Sequence, residues 1–478
     1  MTEPTLPMSP AQQGMYFDSQ LRQSADYHIA IELYTERLSR SRLTQAVSAV
    51  MAEQPALRAS VARNESGPVY MIAESVEAPV RHHDLTGAEE NLDKIFHTAR
   101  HTPFQLNTAP LFRVVAARLP DGDRLLVVCH HLIADGQSVS ILTDRIIDLA
   151  RGTREITASR TDQGLFTYQN GQLSRPSPET LARRESFWAE NLPRHRIPQL
   201  DHWLLASPHE DAAREFRLTV PRDAAEAVHE TAQEAEVSEF TVYLAAFGAL
   251  LAHYAGEDQV SFASPFMDRP HLEMENSIGC FIRTLPVLID VSPGLRVRDL
   301  LKRTRSEVMG LWRNLDFPVT RKLSGLSSAG LFDISFVHDA YPELPEGVFT
   351  TAHPDEVHFP GRLTVTIEQL GDNTNIVIWY KESALTAERA ARFAERLLVL
   401  IQQIPTHLDA PVTDLQPMSA SERCTLLAAS RETHYFDWDP TDLGTLFLNR
   451  TKADPARETW FDETRGYTNA WAHDAAVL

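Results

Sequence analysis

Arg124 to Ala150 reads RLLVVCHHLIADGQSVSILTDRIIDLA, and this stretch decides the fold. A β-rich apolar run reaches paired histidines, His130 and His131, and then a tight Asp135-Gly136. Val139, Leu142, Ile146 and Leu149 recur at helical spacing, so His130 to Ser138 is predicted to leave a buried strand and enter a helix. Connections held on a rigid scaffold often carry chemistry. A histidine there can take a proton from an amine or hydroxyl attacking an acyl carbonyl, because its unperturbed pKa lies near neutral pH. Such chemistry needs no serine or cysteine nucleophile. Gly136 is expected to permit backbone geometry closed to larger residues and to let a substrate chain come close. Asp135 is assigned architecture, a buried ion pair that fixes the loop, and not proton transfer. Two histidines beside a turn, taken alone, read more readily as core histidines with satisfied hydrogen bonds.

The surrounding composition bounds the rest. A chain of 478 residues with 43% hydrophobic content can bury a large core, and two or three domains are expected. A formal net charge of -20 argues against a general nucleic-acid or anionic-membrane binder. The start, MTEPTLPMSPAQQGMY, has neither a positive n-region nor an apolar h-region, so cytoplasmic residence is expected. Phe240 to Ala252, the longest apolar stretch, falls short of the roughly 20 residues that span a bilayer and reads as a buried helix. Cys129, Cys280 and Cys424 form no C-x-x-C pair, so neither a disulfide framework nor a metal site is expected.

Along the chain, Ala30 to Tyr34 predicts a strand, and Leu43, Ala46, Val47 and Val50 share one helix face. Arg151 to Pro178 loses periodicity and reads as a crossing between lobes, with a boundary near Arg175. A second α/β region follows: a strand from Glu215 to Val220, a helix from Glu239 to Tyr254 closed by Gly256, and a long amphipathic helix from Leu385 to Ile404. Its elements echo the first region without a legible residue repeat. Asp409 to Pro417 reads as a linker. The resulting division is 1–175, 176–417 and 418–478, the last too short for a sizeable core of its own.

The string H-H-L-I-A-D-G-Q-S resembles the H-H-x-x-x-D-G-x-S signature of nonribosomal peptide synthetase condensation domains, whose second histidine maps to His131. Other positions agree in order: Ser9 to Met15 with the opening S-x-A-Q-x-x-M motif, Pro55 to Arg58 with a helix ending in Leu-Arg, and Pro103 to Leu106 with Pro110 to Arg113 as the lead-in. Ser264 to Arg269 is similar to a segment ending in a structural arginine, and Ile278 to Pro286 to the I-G-x-F-V-N-T-L motif. Asn314 to Pro318 and Leu331 to Phe336 resemble the last two motifs.

The resemblance implies an α/β fold of two chloramphenicol-acetyltransferase-like lobes, a V-shaped pseudo-dimer with a central tunnel. It implies an acyltransferase that joins a carrier-bound acyl or aminoacyl donor to an acceptor amine. His131 stands at the centre, with His130, Asp135 and Gly136 around it. Ser138, Thr284 and Arg58 would line or support the tunnel, and Asp135 would pair with Arg269. The segment around Ile278 to Pro286 would be a structural floor. No cofactor would be bound covalently, since the substrates ride on phosphopantetheine arms of peptidyl or acyl carrier proteins, the implied partners. Thr445 to Ala470 looks like the start of an adenylation domain, which would be a further partner and lacks its phosphate-binding loop here.

Two departures stand out. Arg283 replaces the usual asparagine, either to meet an acidic substrate or, as the simpler expectation, to pair with Asp290 or Glu275; Gln137 stands where a bulky aromatic is common. Val139, following Ser138 where tryptophan is usual, disfavours epimerization, and the two histidines disfavour heterocyclization. Competing functions for such a chain are a coenzyme-A-dependent acyltransferase and a catalytically silent docking module that recruits tailoring enzymes. Retention of His131 and Gly136 argues against the silent form.

Overall fold

The computed structural model describes every residue except 1–4, 23–24, 26, 66, 157–160, 174–176, 199, 201–202, 205–212, 270–271, 316–332, 342–347, 351–360, 372, 432–442, 462–465, 472–473 and 475–478. The expected boundary at Arg175 and the motif residues Asp316 to Pro318, Leu331 and Phe332 lie outside the described set. The chain divides into two compact units, Met1–Pro417 and Met418–Leu478.

The first half runs β1 (Thr5–Pro7), α1 (Pro10–Arg22), β2 (His28–Thr35), α2 (Arg40–Glu53), β3 (Ala59–Asn64), β4 (Gly67–Ile72) and β5 (Val80–Asp84). It continues with α3 (Leu92–His101), β6 (Phe112–Arg118), β7 (Asp123–His130), α4 (Gly136–Arg151), α5 (Gly164–Leu173) and α6 (Pro178–Asn191). The second half holds β8 (Ala213–Val220), α7 (Arg222–Ala235), α8 (Glu239–Ala255), β9 (Gln259–Met267), β10 (Ile282–Asp290) and α9 (Val297–Trp312). It closes with β11 (Ile334–Tyr341), β12 (Phe349–Thr350), β13 (Leu363–Leu370), β14 (Asn373–Lys381) and α10 (Ala387–Thr406).

Each half is built on one large sheet. The first is ordered β12-β2-β7-β6-β5 and the second β10-β9-β11-β13-β14-β8, with a small β1-β4-β3 sheet beside the first. The echo between halves is explicit in the strand pairing. β2-β7-β6 is antiparallel and β5 joins β6 in parallel; β8-β14-β13 is antiparallel and β11 joins β13 in parallel.

The apolar run in β7 follows from its central place. Leu125, Val127 and Cys129 face one core cluster, while Leu126 and Val128 face another on the opposite side of the sheet, so every residue of the run is buried. Burying such a side chain contributes about 1.5–3 kcal/mol, which pins the end of β7, and with it His130, in place. α4 then packs beside α2, burying Val139, Leu142 and Ile146, and ends at Gly152, whose φ of 84° is left-handed. α8 is buried almost throughout and is closed by Gly256 at φ 66°.

The halves are stitched together by segments that cross over. Met274, Ile278, Phe281 and Val348 belong to the first half's core, and β12 extends the first sheet through pairing with β2. Two sequence expectations need correction. Part of the predicted crossing at Arg151 to Pro178 is helical: α5 buries the face of Gly164, Leu165, Tyr168 and Gln169, and because that face carries a glycine and a glutamine while Phe166 lies off it, the apolar period is weak. Gly164 begins it because a Cβ there would lie 1.9 Å from Ser277 Oγ. Asp409 to Pro417 is no free linker either. Val412 and Leu415 are buried, and backbone hydrogen bonds join Val297 to Ala410 and Val412 to Leu295.

The second unit has helices at Ala420–Arg431 and Leu443–Ala453 and a hairpin of Glu458–Phe461 with Gly466–Thr468. Among the described residues, no single helix is long and apolar enough to cross a membrane.

Candidate active site

The loop between β7 and α4 is tethered at nearly every residue. His131 N donates to the Tyr27 carbonyl at 2.7 Å, Tyr70 Oη to the Leu132 carbonyl at 2.6 Å, and Asp135 N to the Gly279 carbonyl at 3.1 Å. Two of these partners come from the first half and one from the second.

Asp135 is the hub. It caps α4 by accepting from Ser138 N at 2.8 Å, and the same Oδ1 takes Arg269 Nη2 at 3.0 Å. Oδ2 accepts from Phe281 N at 3.0 Å, so a fully buried carboxylate holds both halves. Ser138 Oγ receives Arg269 Nη2 at 2.9 Å and Gly279 N at 3.1 Å, and its one proton goes to Asp135 Oδ1 at 2.7 Å or to the Gly279 carbonyl at 2.8 Å. Arg269 in turn donates to the carbonyls of Met274 and Ser277 and lies over the Phe281 ring. Held by three N–H donors and, in one orientation, by the Ser138 hydroxyl, Asp135 clamps the loop to the second half.

Burial keeps both histidines neutral, and they differ in exposure. His130 is buried, and its Nδ1 accepts from Leu132 N at 3.1 Å, which requires the proton on Nε2, 3.5 Å from Ser19 Oγ. Burial, reinforced by His28 and His131, holds it well below the ordinary histidine range. His131 is partly accessible. Its pKa is lowered by burial, while the Asp135 charge and the carbonyls of His131 and Ala134 act in the opposite direction. Its Nδ1 faces Cys280 Sγ at 4.0 Å, which turns Nε2 the other way. The result is a neutral imidazole near pH 7, the form that accepts a proton. Burial pushes the Cys129 and Cys280 thiols up to about 12, so neither supplies a thiolate nucleophile.

Several expected residues sit differently from their reading in the sequence. Gly136 has no positive φ, and a Cβ added there would meet Asp339 Oδ1 at an ordinary 3.7 Å. It is the first residue of α4, and a Cβ would fit there without any unusual backbone angle. Arg58 is spent on backbone carbonyls, those of Met51, Ala73 and Glu74, and braces the turn before β3. Thr284 is exposed on β10, opposite Pro265. Arg283 pairs with neither Asp290 nor Glu275. It is buried, with Nε 2.8 Å from Asp268 Oδ2, and Tyr168 Oη donates to the same carboxylate at 3.0 Å. Asp290 instead takes Arg303. The charge that replaced asparagine is therefore matched locally, one residue before Arg269.

Sequence reasoning missed three supports. Gln12 Nε2 donates to the Cys280 carbonyl at 2.9 Å, Gln54 Oε1 accepts from Ile278 N at 2.9 Å, and Cys280 itself faces His131. Gln12 and Cys280 lie inside recognised motifs, so the signal is present in the sequence but names no partner. Among the described residues, no three His, Cys, Asp or Glu side chains stand together as metal ligands.

The chain belongs to the condensation-domain family, whose model matches residues 2–427. Among curated relatives, it is 24% identical to tyrocidine synthase 2 of Brevibacillus parabrevis, covering 90% of this chain and 12% of that protein. It is 23% identical to gramicidin S synthase 2 of Aneurinibacillus migulanus, covering 96% and 11%. The chain thus spans about a tenth of the length of these relatives. Among solved structures it is similar to the first condensation domain of the calcium-dependent antibiotic synthetase in complex with a substrate analogue. That likeness has a TM-score of 0.74 at 16% identity and covers 88% of this chain and 100% of that one. It is also similar to the holo form of a four-domain nonribosomal peptide synthetase bound to AMP and glycine, with a TM-score of 0.76 at 16% identity over 98% and 38%. The fold is α/β and chloramphenicol-acetyltransferase-like.

Proposed function

We propose that this chain is the amide-forming acyltransferase of a nonribosomal peptide synthetase, with His131 as its proton-transfer residue. The observation that carries the reading is a neutral, partly accessible His131 on a loop held from both halves by the Asp135–Arg269 pair. An acceptor amine attacks the thioester carbonyl of the donor, and the carbon–sulfur bond breaks as the carbon–nitrogen bond forms. Nε2 of His131 takes a proton from the attacking nitrogen and returns one to the departing sulfur, leaving the residue unchanged after each turnover. Positioning the two reactants supplies much of the remaining acceleration. Donor and acceptor arrive on phosphopantetheine arms of carrier proteins, and the bare backbone of Gly136 lets such an arm come close to the loop. The H-H-x-x-x-D-G signature is thereby read as the working site, the divisions 1–175, 176–417 and 418–478 as two lobes and a following segment, and the setting as cytoplasmic. The likeness to a four-domain synthetase over 98% of the chain supports reading the last segment as the beginning of an adenylation domain.

The test is direct. An acyl-loaded carrier protein and an amine-loaded carrier are incubated with the chain, and the acceptor is measured by intact mass. A gain equal to the acyl group is expected, with loss of the same group from the donor. No gain over a chain-free control, across several acyl donors, would overturn the reading.

A further inference from the structure

The first half carries a second recess that draws nothing from the other half. It is a groove of about 840 Å³ between α3, β5 and β6, and all of its lining lies between Ala78 and Val115. The loop of His131, by contrast, is closed by Arg269, Gly279 and Phe281. β5 is the outer strand of its sheet, so among the described residues no further strand covers that side.

Its charge opposes that of the protein. The chain has 65 acidic residues against 45 lysines and arginines, yet the groove is lined by Arg81, Lys94, Arg113 and His83, and none of its described lining residues is acidic. Of the carboxylates on the adjoining segments, Asp84 is engaged by Arg40 and Thr86 N, Glu89 by Gly87 N and Glu90 by the Asn91 amide, while Asp93 is exposed on α3 beside Lys94. Arg113 donates to the Ala99 carbonyl at 3.1 Å and stands 3.8 Å over the Phe104 ring, contacts that orient its charge without neutralising it. Burial and the neighbouring Arg81 push Arg113 down to about 10, the mark of cations facing one another in a half-buried recess. The floor between them is apolar, formed by Leu85, Ile95, Phe112 and Val115. At one end Phe104 meets His28 edge-on at 4.8 Å and His130 at 6.3 Å, two rings from the catalytic loop.

We propose that this groove binds a flexible, largely apolar chain that ends in a phosphate group, with the phosphate held by Arg81, Lys94 and Arg113. Phosphate matches the guanidinium fork and accepts from several cations at once, and a narrow apolar floor suits an extended chain. A lipid or fatty-acyl phosphate has this chemistry, whereas a phosphopantetheine arm, with its hydroxyl and two amides, does not. The site lies within the first half and does not depend on the acyl-transfer reading, because binding is measured without any coupling reaction.

The experiment is calorimetric titration of the intact chain with n-octyl phosphate, with n-octanol and inorganic phosphate as the chain and head alone, and with 4′-phosphopantetheine. Octyl phosphate is expected to bind about tenfold tighter than either half-probe, and its affinity to fall with added salt. The exposed pair Arg81→Glu with Lys94→Glu is expected to weaken it by about tenfold or more while the melting temperature stays at the parental value. Octyl phosphate is expected to bind tighter than 4′-phosphopantetheine, and the reverse order would overturn the apolar-chain reading. Equal affinity for octanol and octyl phosphate, or no change on charge reversal, would overturn it.

Discussion

The two halves fold the same way and end the same strand differently. In each, the second strand of the shared four-strand pattern runs into a long helix after five residues, from His130 to Asp135 and from Lys381 to Thr386. Both helices are capped by a side chain: Asp135 accepts from Ser138 N and Thr386 Oγ1 from Arg389 N. The resemblance stops there. Where the first junction has His131 after the strand, the second has Glu382, and among the described residues Thr386 has no counterpart to the bonds that Asp135 makes to Arg269 and Phe281. Both junctions are capped, and the one proposed to carry the chemistry is the one whose cap also reaches the other half and stands beside a histidine.

Substitution at Gly136 probes the proposed approach of the carrier arm to the first junction and carries the largest expected effect. Gly136→Trp is expected to reduce coupling of carrier-tethered donors to background, while Gly136→Ala folds with near-parental stability because its Cβ meets Asp339 Oδ1 at an ordinary 3.7 Å. Small untethered thioesters should still react with the Trp variant. Equal loss with tethered and untethered donors, in a folded protein, would favour distortion of the loop over blockage.

Removing the caps compares the junctions directly. Asp135→Ala strands a buried arginine and is expected to cost about 3–5 kcal/mol in chemical denaturation. Thr386→Ala loses one cap and should cost about 1 kcal/mol. Similar costs at both sites would mean that Asp135 is only a cap.

Acid should loosen both halves, by a smaller amount. His28 in the first half and His195 in the second are each held down to about 4, chiefly by burial, from an ordinary 6.5. At these two rings the folded chain therefore binds fewer protons than the unfolded one between about pH 6.5 and 4, so the stability they contribute falls as pH falls through that window. Asp144, pushed up to about 6 chiefly by burial, acts in the opposite sense. Urea midpoints at pH 7.5 and 5.5 should show the drop, and His195→Gln should remove part of it. A pH-independent midpoint would contradict the neutral burial of these rings.

Much of this is legible in the sequence because it rests on local pattern. β7, α4, α8 and the Gly256 cap follow from apolar periodicity and end signals that span a few residues. α5 is hidden because its buried face includes Gly164 and Gln169, while Phe166 lies off that face, so residue type does not report burial there. Pairing across long separations is harder: the acid beside Arg283 is Asp268, which sequence distance ranks no higher than Asp290 or Glu275. β12 is two residues long and joins a sheet more than 300 positions away, a placement set by the second half wrapping onto the first. Gly136 misleads through its residue type, since glycine signals both strained turns and open space and only the backbone angle separates the two.

The central claim is that the first junction alone performs the chemistry, and His131→Ala tests it most directly. Single-turnover coupling between loaded carriers is measured for the parent, for His131→Ala, and for Glu382→Ala at the equivalent place in the second half. A loss of about 100-fold or more is expected for His131→Ala with the melting temperature retained, and parental rates for Glu382→Ala. A folded His131→Ala protein that couples at the parental rate would contradict the account.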